Sequence, residues 1–273
     1  MTGILFGLYK LLAKLIKFTI ILILGALLLL TSCRSPDFIY TEDGKIECGA
    51  DGEAIILTNN ATAVDPTFNE LVAFILADAT DKRGYVPGAF VCADFAEAVH
   101  NNAEAAGIRA GWVSLTFEGT EDGHALNVFE TSDKGLVYID CTNSGSGDAA
   151  RSWDSVAYIE TGKKYGVLPI ERVLAAGYDF YPFAYDFYTD CETAWREYQS
   201  RLAAFNEEVE RYNRESGSRV FAIGSAEMQK MLAWKETLLA EESALESLQA
   251  QAGNRWLESE FSSFPVKNAK IHW

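Results

Sequence analysis

The chain has few of the residues that usually build metal sites or disulfide frameworks. Its 273 residues include three histidines and five cysteines, with no Cys-x-x-Cys pair and no Cys–His cluster. That spacing offers no zinc site, and we expect no metal and no cofactor. Once Cys33 and Cys92 are given the roles argued below, at most one disulfide can form among Cys48, Cys141 and Cys191. The sequence does not fix the pairing.

Positive charge is also scarce. Lysine and arginine total 23 against 39 aspartates and glutamates, which gives a net charge of −16. A surface of this sign repels phosphate backbones and anionic lipid headgroups, so we expect no nucleic-acid partner. The simplest interpretation of the charge is solubility in an exposed compartment.

Long apolar runs are confined to the N-terminus. Phe18 to Leu30 is an uncharged run of 13 residues that follows Lys10, Lys14 and Lys17. It is shorter than the roughly 20 residues that span a bilayer core. A basic segment followed by a short apolar run is typical of a signal peptide, which we place at residues 1–32.

The end of this run resembles a known processing site. Leu30-Thr31-Ser32-Cys33 resembles the lipobox of bacterial lipoproteins, which implies cleavage before Cys33 and a diacylglycerol on its thiol. The alternative is an uncleaved anchor helix, because residues 4–16 are also rather apolar. Both interpretations place the rest of the chain outside the cytoplasm. We expect a lipid-anchored protein on the extracytoplasmic face of the cell membrane.

Hydrophobic periodicity predicts an α+β fold. The expected order is a helix, the Cys92 segment, a second helix and then an antiparallel sheet. The first helix is expected to begin with Asp65 as N-cap and Pro66 at its first position. The remaining expected elements are strands at 54–58, 108–117, 125–130 and 136–139 and a helix at 93–106.

An aromatic-rich segment follows the expected sheet. Seven aromatic residues fall between Tyr178 and Tyr188. They fit either a surface that stacks sugars or peptides or, as we favour, an irregular segment wrapped on the catalytic core.

The C-terminal third has the pattern of two helices. Large apolar residues from Trp195 to Tyr212 step by three and four, and a second helix from about Ser225 continues the pattern with Glu241 as a misfit. A short loop should fold them into an antiparallel hairpin. The hairpin either covers its own seam or docks a surface protein, and the bulky Trp195 and Phe205 favour the first.

These patterns divide the chain into consecutive regions. After the signal peptide we expect a leader at 33–60 and a catalytic core at 61–145. The aromatic-rich segment at 146–189, the helical hairpin at 190–260 and a C-terminal tail at 261–273 follow.

Cys92, His124 and Asp140 occur in settings that suit a nucleophile, its base and the residue that orients the base. At the start of a helix, Cys92 would feel the positive end of the dipole, which favours the thiolate, and nearby N–H groups would face a developing oxyanion. The negative charge of Asp94 disfavours the thiolate unless the Asp94 side chain caps the helix or faces away from Cys92. Tyr85 is a candidate side-chain donor to the oxyanion.

The catalytic hypothesis makes a geometric demand on two strands. His124 and Asp140 share a face of an antiparallel hairpin only when the numbers of opposed residues add to an even value. A turn from Thr131 to Gly135 meets this condition and sets Asp140 opposite Leu126. His124 is then the diagonal neighbour of Asp140, with about 7–8 Å between their backbone positions, which is within reach of the side chains. A four-residue loop would place Asp140 on the wrong face unless a β-bulge at Gly135 corrects the register.

The other two histidines receive no catalytic role. His100 comes eight residues after Cys92 and is expected on the surface of the helix, while His272 is expected at a frayed chain end.

Four stretches resemble the transglutaminase-like superfamily: Val91-Cys92-Ala93-Asp94-Phe95-Ala96, Ala106-Gly107-Ile108-Arg109-Ala110, Gly123-His124-Ala125 and Tyr138-Ile139-Asp140-Cys141-Thr142. The resemblance covers about residues 66–145. It implies a papain-like fold, with the helix that carries the Cys packed on an antiparallel sheet. It also implies Cys92 as nucleophile, His124 as base and Asp140 as orienter. Leu126 and Cys141 depart from the aromatic residue and the Pro that many members have there.

Two functions are consistent with these residues. The first is a membrane-tethered cysteine enzyme that acts on amide bonds of a peptide or protein, as a peptidase, an amidase or an acyl transferase through a Cys92 thioester. The second is a non-catalytic scaffold lipoprotein that binds partners through the aromatic segment and the hairpin. Abundant water favours hydrolysis over crosslinking.

Overall fold

A computed structural model describes residues 35–41, 44–142, 152–177, 183–217, 219–253, 259 and 261–273. The predicted signal peptide and the predicted lipid site at Cys33 lie outside the described residues, as do Tyr178, Phe180 and Tyr181 of the aromatic-rich segment. In the described ranges, no helix combines the length and the apolar character needed to cross a membrane.

The fold is mixed α and β and is built on a six-stranded antiparallel sheet with strand order β7-β6-β5-β4-β3-β8. A two-stranded ribbon, β1 with β2, lies outside this sheet. The strands are β1 Ser35–Phe38, β2 Ile56–Asn59, β3 Gly111–Phe117, β4 His124–Thr131, β5 Gly135–Asp140, β6 Ser155–Tyr158, β7 Gly166–Pro169 and β8 Val266–His272.

Five α-helices accompany the strands in the described ranges. They are α1 Phe68–Ala77, α2 Cys92–Ala105, α3 Ile170–Ala175, α4 Tyr185–Ser216 and α5 Ala226–Ala252, with a 3-10 turn at Thr80–Lys82. The C-terminal pair, α4 and α5, forms the expected antiparallel hairpin, in which Arg201 meets Glu241 and Glu208 meets Trp234.

The register between β4 and β5 is the one that the sequence predicts. Thr131 pairs with Gly135 and Asn127 with Ile139, so the same register sets Asp140 opposite Leu126. Gly135 has a φ of 73°, a left-handed conformation that glycine adopts without steric cost. The turn between the paired ends contains residues 132–134.

Alternation along the strands divides the core between the two faces of the sheet. One face carries Phe129 and Ile139 and packs against α1 and α2, together with the start of α4. The opposite face carries Val128 and Tyr165 and is covered by Phe261 from the C-terminal region. Because His124 and Leu126 have the same parity as Val128, they belong to this second face.

Helix α2 is fixed to its surroundings by polar side chains. Glu97, Asn101 and Glu104 lie on one side of the helix and accept the backbone N–H groups of Ile56, Thr58 and Asn60 at 3.0, 2.7 and 2.8 Å. On the sheet side, Asn127 donates to the carbonyl of Ala96 at 2.8 Å. These bonds satisfy backbone groups that would otherwise be buried without partners, and they fix where the N-terminus of α2 lies.

The first helix begins later than expected. Its N-cap is Thr67, whose hydroxyl and backbone N–H form a reciprocal capping box with Glu70. Asp65 instead forms an ion pair with Arg109 at 2.8 Å. The prediction of Asp65 as the cap was wrong because the Thr-x-x-Glu box satisfies two helix-end donors together, whereas a lone Asp satisfies one.

The C-terminal tail is part of the sheet. Residues 266–272 form β8, which pairs with β3 from Trp112–His272 to Phe117–Val266. His272 is therefore not at a frayed end, as expected, but lies on a strand with its ring 5.8 Å from that of Trp112. The strand is not apparent from the sequence because the residues on one of its faces, Asn268, Lys270 and His272, are all polar.

The segment expected to be irregular contains regular structure. Strands β6 and β7 and helix α3 lie within residues 152–177, and α4 begins at Tyr185. The part of the aromatic-rich segment that is described does pack on the core, because Tyr188 is buried and lies 5.5 Å from the Tyr158 ring. The four described cysteines, Cys48, Cys92, Cys141 and Cys191, are all free thiols.

Glu241, the misfit in the helical seam, has a specific partner. Its two carboxylate oxygens accept from Nε and Nη2 of Arg201 at 2.8 Å each. This bidentate ion pair compensates the charge of Glu241 and so explains why a carboxylate occurs in an otherwise apolar helical seam.

Substitution of Gly166 by Ala should destabilise the fold. A Cβ at this position would lie 2.6 Å from the Tyr188 ring, where β7 meets α4, so the free energy of unfolding should fall by about 1–3 kcal/mol. Urea denaturation provides the measurement. The matched control is Gly84→Ala, because a Cβ there meets nothing within 4 Å, and it should cause no loss of stability. Equal stability of the two variants would contradict the close approach.

Candidate active site

Cys92 is the first residue of α2 and follows Val91 as N-cap. Its side chain is half-buried and faces a groove. The first N–H groups of a helix have no partners within the helix, so they are free to face an anion that forms at the Cys92 side chain.

The carboxylate of Asp94 is hydrogen-bonded to backbone N–H groups. Its Oδ2 accepts the N–H groups of Val91 at 2.8 Å and of Ala50 at 3.2 Å. The side chain therefore caps the helix, an arrangement that makes its negative charge tolerable beside Cys92.

His124 and Asp140 form a buried pair. Nε2 of His124 lies 2.8 Å from Oδ2 of Asp140, and the residues are 6% and 7% exposed. Since a carboxylate only accepts, Nε2 carries the proton of this bond. The other ring nitrogen, Nδ1, is then the one that can exchange a proton with a thiol.

Burial and pairing act on these two groups in opposite directions. Burial alone would lower the pKa of His124, but the Asp140 carboxylate and the Cys92 thiol stabilise the imidazolium and raise the pKa above its usual value. Burial alone would raise the pKa of Asp140, but the charge and N–H of His124, the Tyr165 hydroxyl and the Thr142 N–H lower it. The pair is therefore held in its charged form.

His124 also interacts with Cys92. The Cys92 sulfur lies close enough to the imidazole to raise the His124 pKa, through its charge when it is ionised and as a hydrogen-bonding partner. Nδ1 is buried and makes no hydrogen bond of ordinary geometry within the described ranges. The contact between Nδ1 and the thiol is therefore long or poorly aligned, as hydrogen bonds of this kind often are before a ligand binds.

Two further residues contact the His124–Asp140 pair and were not expected from the sequence. The Tyr165 hydroxyl donates to Oδ2 of Asp140 at 2.7 Å, and the Tyr165 ring lies 5.4 Å from that of His124. The Phe261 ring lies against the His124 imidazole, with 5.2 Å between the two ring centroids. Neither residue stands in a motif, and both reach the site from regions more than 20 positions away in sequence, so no local signal marks them.

Tyr85, the proposed oxyanion donor, lies in the loop that precedes Cys92. It is not among the residues that line the groove. The role of Tyr85 as an oxyanion donor stays a prediction.

His100 is not a surface residue, and that expectation was wrong. It is fully buried, with Nε2 2.9 Å from Oδ1 of Asn59, and burial lowers its pKa to about 4. The helical face that carries His100 is covered by the β2 region, which the sequence did not place there.

Cys92 and His124 line one groove of about 500 Å³. It runs between the residue 39–48 region and the strands β3 and β8. Its polar lining residues are Thr41, Glu47, Cys48, Ser114, Thr116, Glu121, Asn268, Lys270 and His272. Within the described parts of the chain, no three His, Cys, Asp or Glu side chains are grouped to hold a metal ion.

Comparisons with protein-family models, with curated proteins and with solved structures give no match to this chain.

The three histidines should titrate in separate ranges. His124 should titrate above its usual value of 6.5, His272 below it, and His100 near pH 4. Asp140→Asn should lower the pKa of His124, because burial is then opposed by Cys92 alone and no longer by the carboxylate. Imidazole NMR signals measure all three pKa values. Tyr165→Phe is the control, since it keeps the carboxylate and should leave His124 above 6.5.

The same pair makes stability depend on pH. The raised pKa of His124 contributes stability that is complete below about pH 6.5 and is lost as pH rises through the folded-state value. The lowered pKa of Asp140 contributes stability above about pH 3.8 that is lost as pH falls through its folded-state value. Unfolding measured across this range should show a smaller pH dependence in Asp140→Asn. An unchanged profile would contradict the charged pair.

Proposed function

We propose that this protein is a membrane-tethered, extracytoplasmic cysteine enzyme of the transglutaminase-like type that acts on amide bonds. The observation that carries the proposal is the position of His124, which bonds Asp140 through Nε2 and interacts with Cys92 beside a groove. Each of these residues alone has a structural explanation, but their combination at one groove supports catalysis.

The architecture supports the resemblance to a papain-like core. The helix that begins with Cys92 packs along β4, and His124 and Asp140 come from adjacent antiparallel strands. Cys92, His124 and Asp140 follow in the chain order of the family to which the sequence is similar. The membrane tether rests on the N-terminal sequence alone.

The proposed reaction starts from a thiolate–imidazolium pair, in which the proton of the Cys92 thiol already lies on Nδ1 of His124. The thiolate attacks the amide carbonyl carbon, and the new oxyanion faces the N–H groups at the start of α2. When the C–N bond breaks, Nδ1 returns the proton to the departing amine and leaves a Cys92 thioester. Water then attacks the thioester, His124 takes its proton, and the thiol is restored as the acid departs.

Asp140 and Tyr165 act on this cycle through His124. The Asp140 carboxylate holds the proton on Nε2, stabilises the imidazolium that forms and fixes the ring plane. Because the Tyr165 hydroxyl and the Thr142 N–H bond the two oxygens of Asp140, the carboxylate cannot rotate without losing a bond.

A scaffold function is the second candidate, and one observation favours it. Val220 and Ile223, at the turn between α4 and α5, are 100% and 97% exposed. Exposed apolar side chains at the end of a long hairpin suit contact with a surface protein. The hairpin seam itself is filled by its own residues, including Tyr212 against Trp234 at 5.4 Å.

Alkylation tests the activated thiol. At about pH 6, well below the pKa of a free thiol, iodoacetamide should modify Cys92 at least about tenfold faster than Cys48, because His124 accepts the Cys92 proton. Cys48 is an exposed free thiol in the same chain and serves as internal reference. Peptide mass spectrometry measures both rates.

His124→Ala should remove the difference between the two thiols, whereas His100→Gln, which changes a buried histidine away from Cys92, should keep it. If Cys92 in the unaltered protein reacts no faster than Cys48, the enzyme proposal is wrong and the scaffold function takes its place.

A further inference from the structure

The turn between α4 and α5 presents apolar side chains to water. In residues 219–224, which we call the hairpin tip, Val220 and Ile223 are 100% and 97% exposed. The backbone here is a hydrogen-bonded turn, in which the N–H of Ser225 donates to the carbonyl of Ala222 at 3.0 Å. The exposure of these side chains is therefore a property of a folded turn, and it is unfavourable in water.

The hairpin does not cover its own tip. Its seam closes before the turn, where Tyr212 lies against Trp234 and Met231 is buried. Beyond that point Phe221 is half-buried, and the other large apolar side chains of the tip are fully open to solvent. A contact with something other than the described part of this chain would remove them from water.

Charge changes sign along the hairpin. Residues 211–235, around the tip, contain five basic and two acidic residues. Residues 185–210 and 236–252, which form the base of the hairpin, contain two basic and eleven acidic ones. The tip end thus has a net charge of +3 and the base a net charge of −9. In a chain with a net charge of −16, this local reversal favours an anionic partner at the tip.

The cations next to the tip are available to such a partner. Arg219 and Lys230 are exposed, and neither forms an ion pair within the described ranges. On α5 the acidic base begins at Glu236, about 15 Å along the helix from Ala226. This distance exceeds the Debye length of about 8 Å at physiological ionic strength, so the acidic base does not oppose an anionic surface at the tip.

The size of the tip favours a lipid surface over a protein. A stable protein interface buries about 800 Å² on each partner and uses about 20–30 residues a side. The tip has six residues and is convex, so it is too small for such an interface. A bilayer needs less, because apolar side chains that enter the headgroup region and neighbouring cations that meet lipid phosphates both add to binding.

We propose that the hairpin tip inserts Val220, Phe221 and Ile223 into the surface of an anionic lipid membrane, while Arg219 and Lys230 contact the lipid phosphates. This inference goes beyond the enzyme proposed above and does not depend on catalysis at Cys92.

Such a contact would orient the protein on the membrane. The N-terminal anchor predicted from the sequence attaches the chain at one point, which leaves the folded part free to rotate. Helix α5 has 27 residues and is therefore about 40 Å long. A second attachment at the end of this hairpin would hold the sheet and its groove in one orientation, and two weak membrane signals together give stable binding.

Proteolysis at the tip tests the contact on the full chain. The chain is placed on vesicles of phosphatidylcholine, with or without phosphatidylglycerol, and flotation on a density gradient shows that it is attached. Chymotrypsin then cleaves after Phe221, and mass spectrometry measures the rate. A soluble peptide substrate in the same mixture corrects for protease activity. Comparing the two vesicles for each variant cancels the effect of sequence on the protease.

Anionic vesicles should slow cleavage after Phe221 at least about tenfold relative to neutral vesicles, and high salt should reduce the effect. The double variant Val220→Ser, Ile223→Ser should abolish most of this slowing, because it removes the inserted side chains. The matched control is Leu136→Ser, Leu239→Ser, which makes the same change at two exposed leucines away from the tip and should keep the slowing.

The charge is tested in the same way. The double variant Arg219→Gln, Lys230→Gln should lower the slowing by anionic vesicles to about threefold or less. Lys164→Gln, Lys267→Gln removes the same charge from exposed positions away from the tip and should leave the slowing unaltered.

Three results would overturn the proposal. Equal cleavage on the two kinds of vesicle would leave a protein partner, as in the scaffold function, to cover the tip. Slowing that survives the loss of Val220 and Ile223 would show an electrostatic contact without insertion. Slowing by soluble glycerophosphate would show phosphate binding without a membrane. None of these results bears on Cys92, and an unreactive Cys92 would leave the membrane contact intact.

Discussion

The buried carboxylate of Asp140 is the constraint on which the arrangement of this site depends. A charge removed from water is stable only when other groups compensate it. Here three donors from three segments do so: the His124 imidazole from β4, the Tyr165 hydroxyl from the loop before β7, and the N–H of Thr142. The sheet must therefore bring β4, the end of β5 and the residue 165 region to one place.

This requirement connects the site to the rest of the fold. The turn between β4 and β5 sets the register that puts His124 and Asp140 on one face. Helix α2 is held separately, by Asn127 on the sheet and by its polar contacts with β2. Cys92 and His124 thus belong to two elements whose relative position is set by many contacts away from both side chains, which is what the proposed catalysis would require.

Several of these features follow from local pattern. The parity of the β4–β5 pairing was predictable because the side-chain period of a strand is two and Gly135 marks the turn. The start of α2 was predictable within one residue, and the helical hairpin from its three–four spacing. The N-cap of α1 was mistaken, because Asp65 and Thr67 are both good caps and only the reciprocal bond to Glu70 decides between them.

By itself, the sequence determined the class of elements, the order of Cys92, His124 and Asp140 and the shared face of the last two, since all of these depend on local periodicity. Only the tertiary structure decided that the C-terminal residues become β8, that His100 is buried and that Tyr165 bonds Asp140. These features depend on contacts between residues far apart in sequence, which no local pattern encodes. The placement of Glu47 over the groove of Cys92 has the same origin.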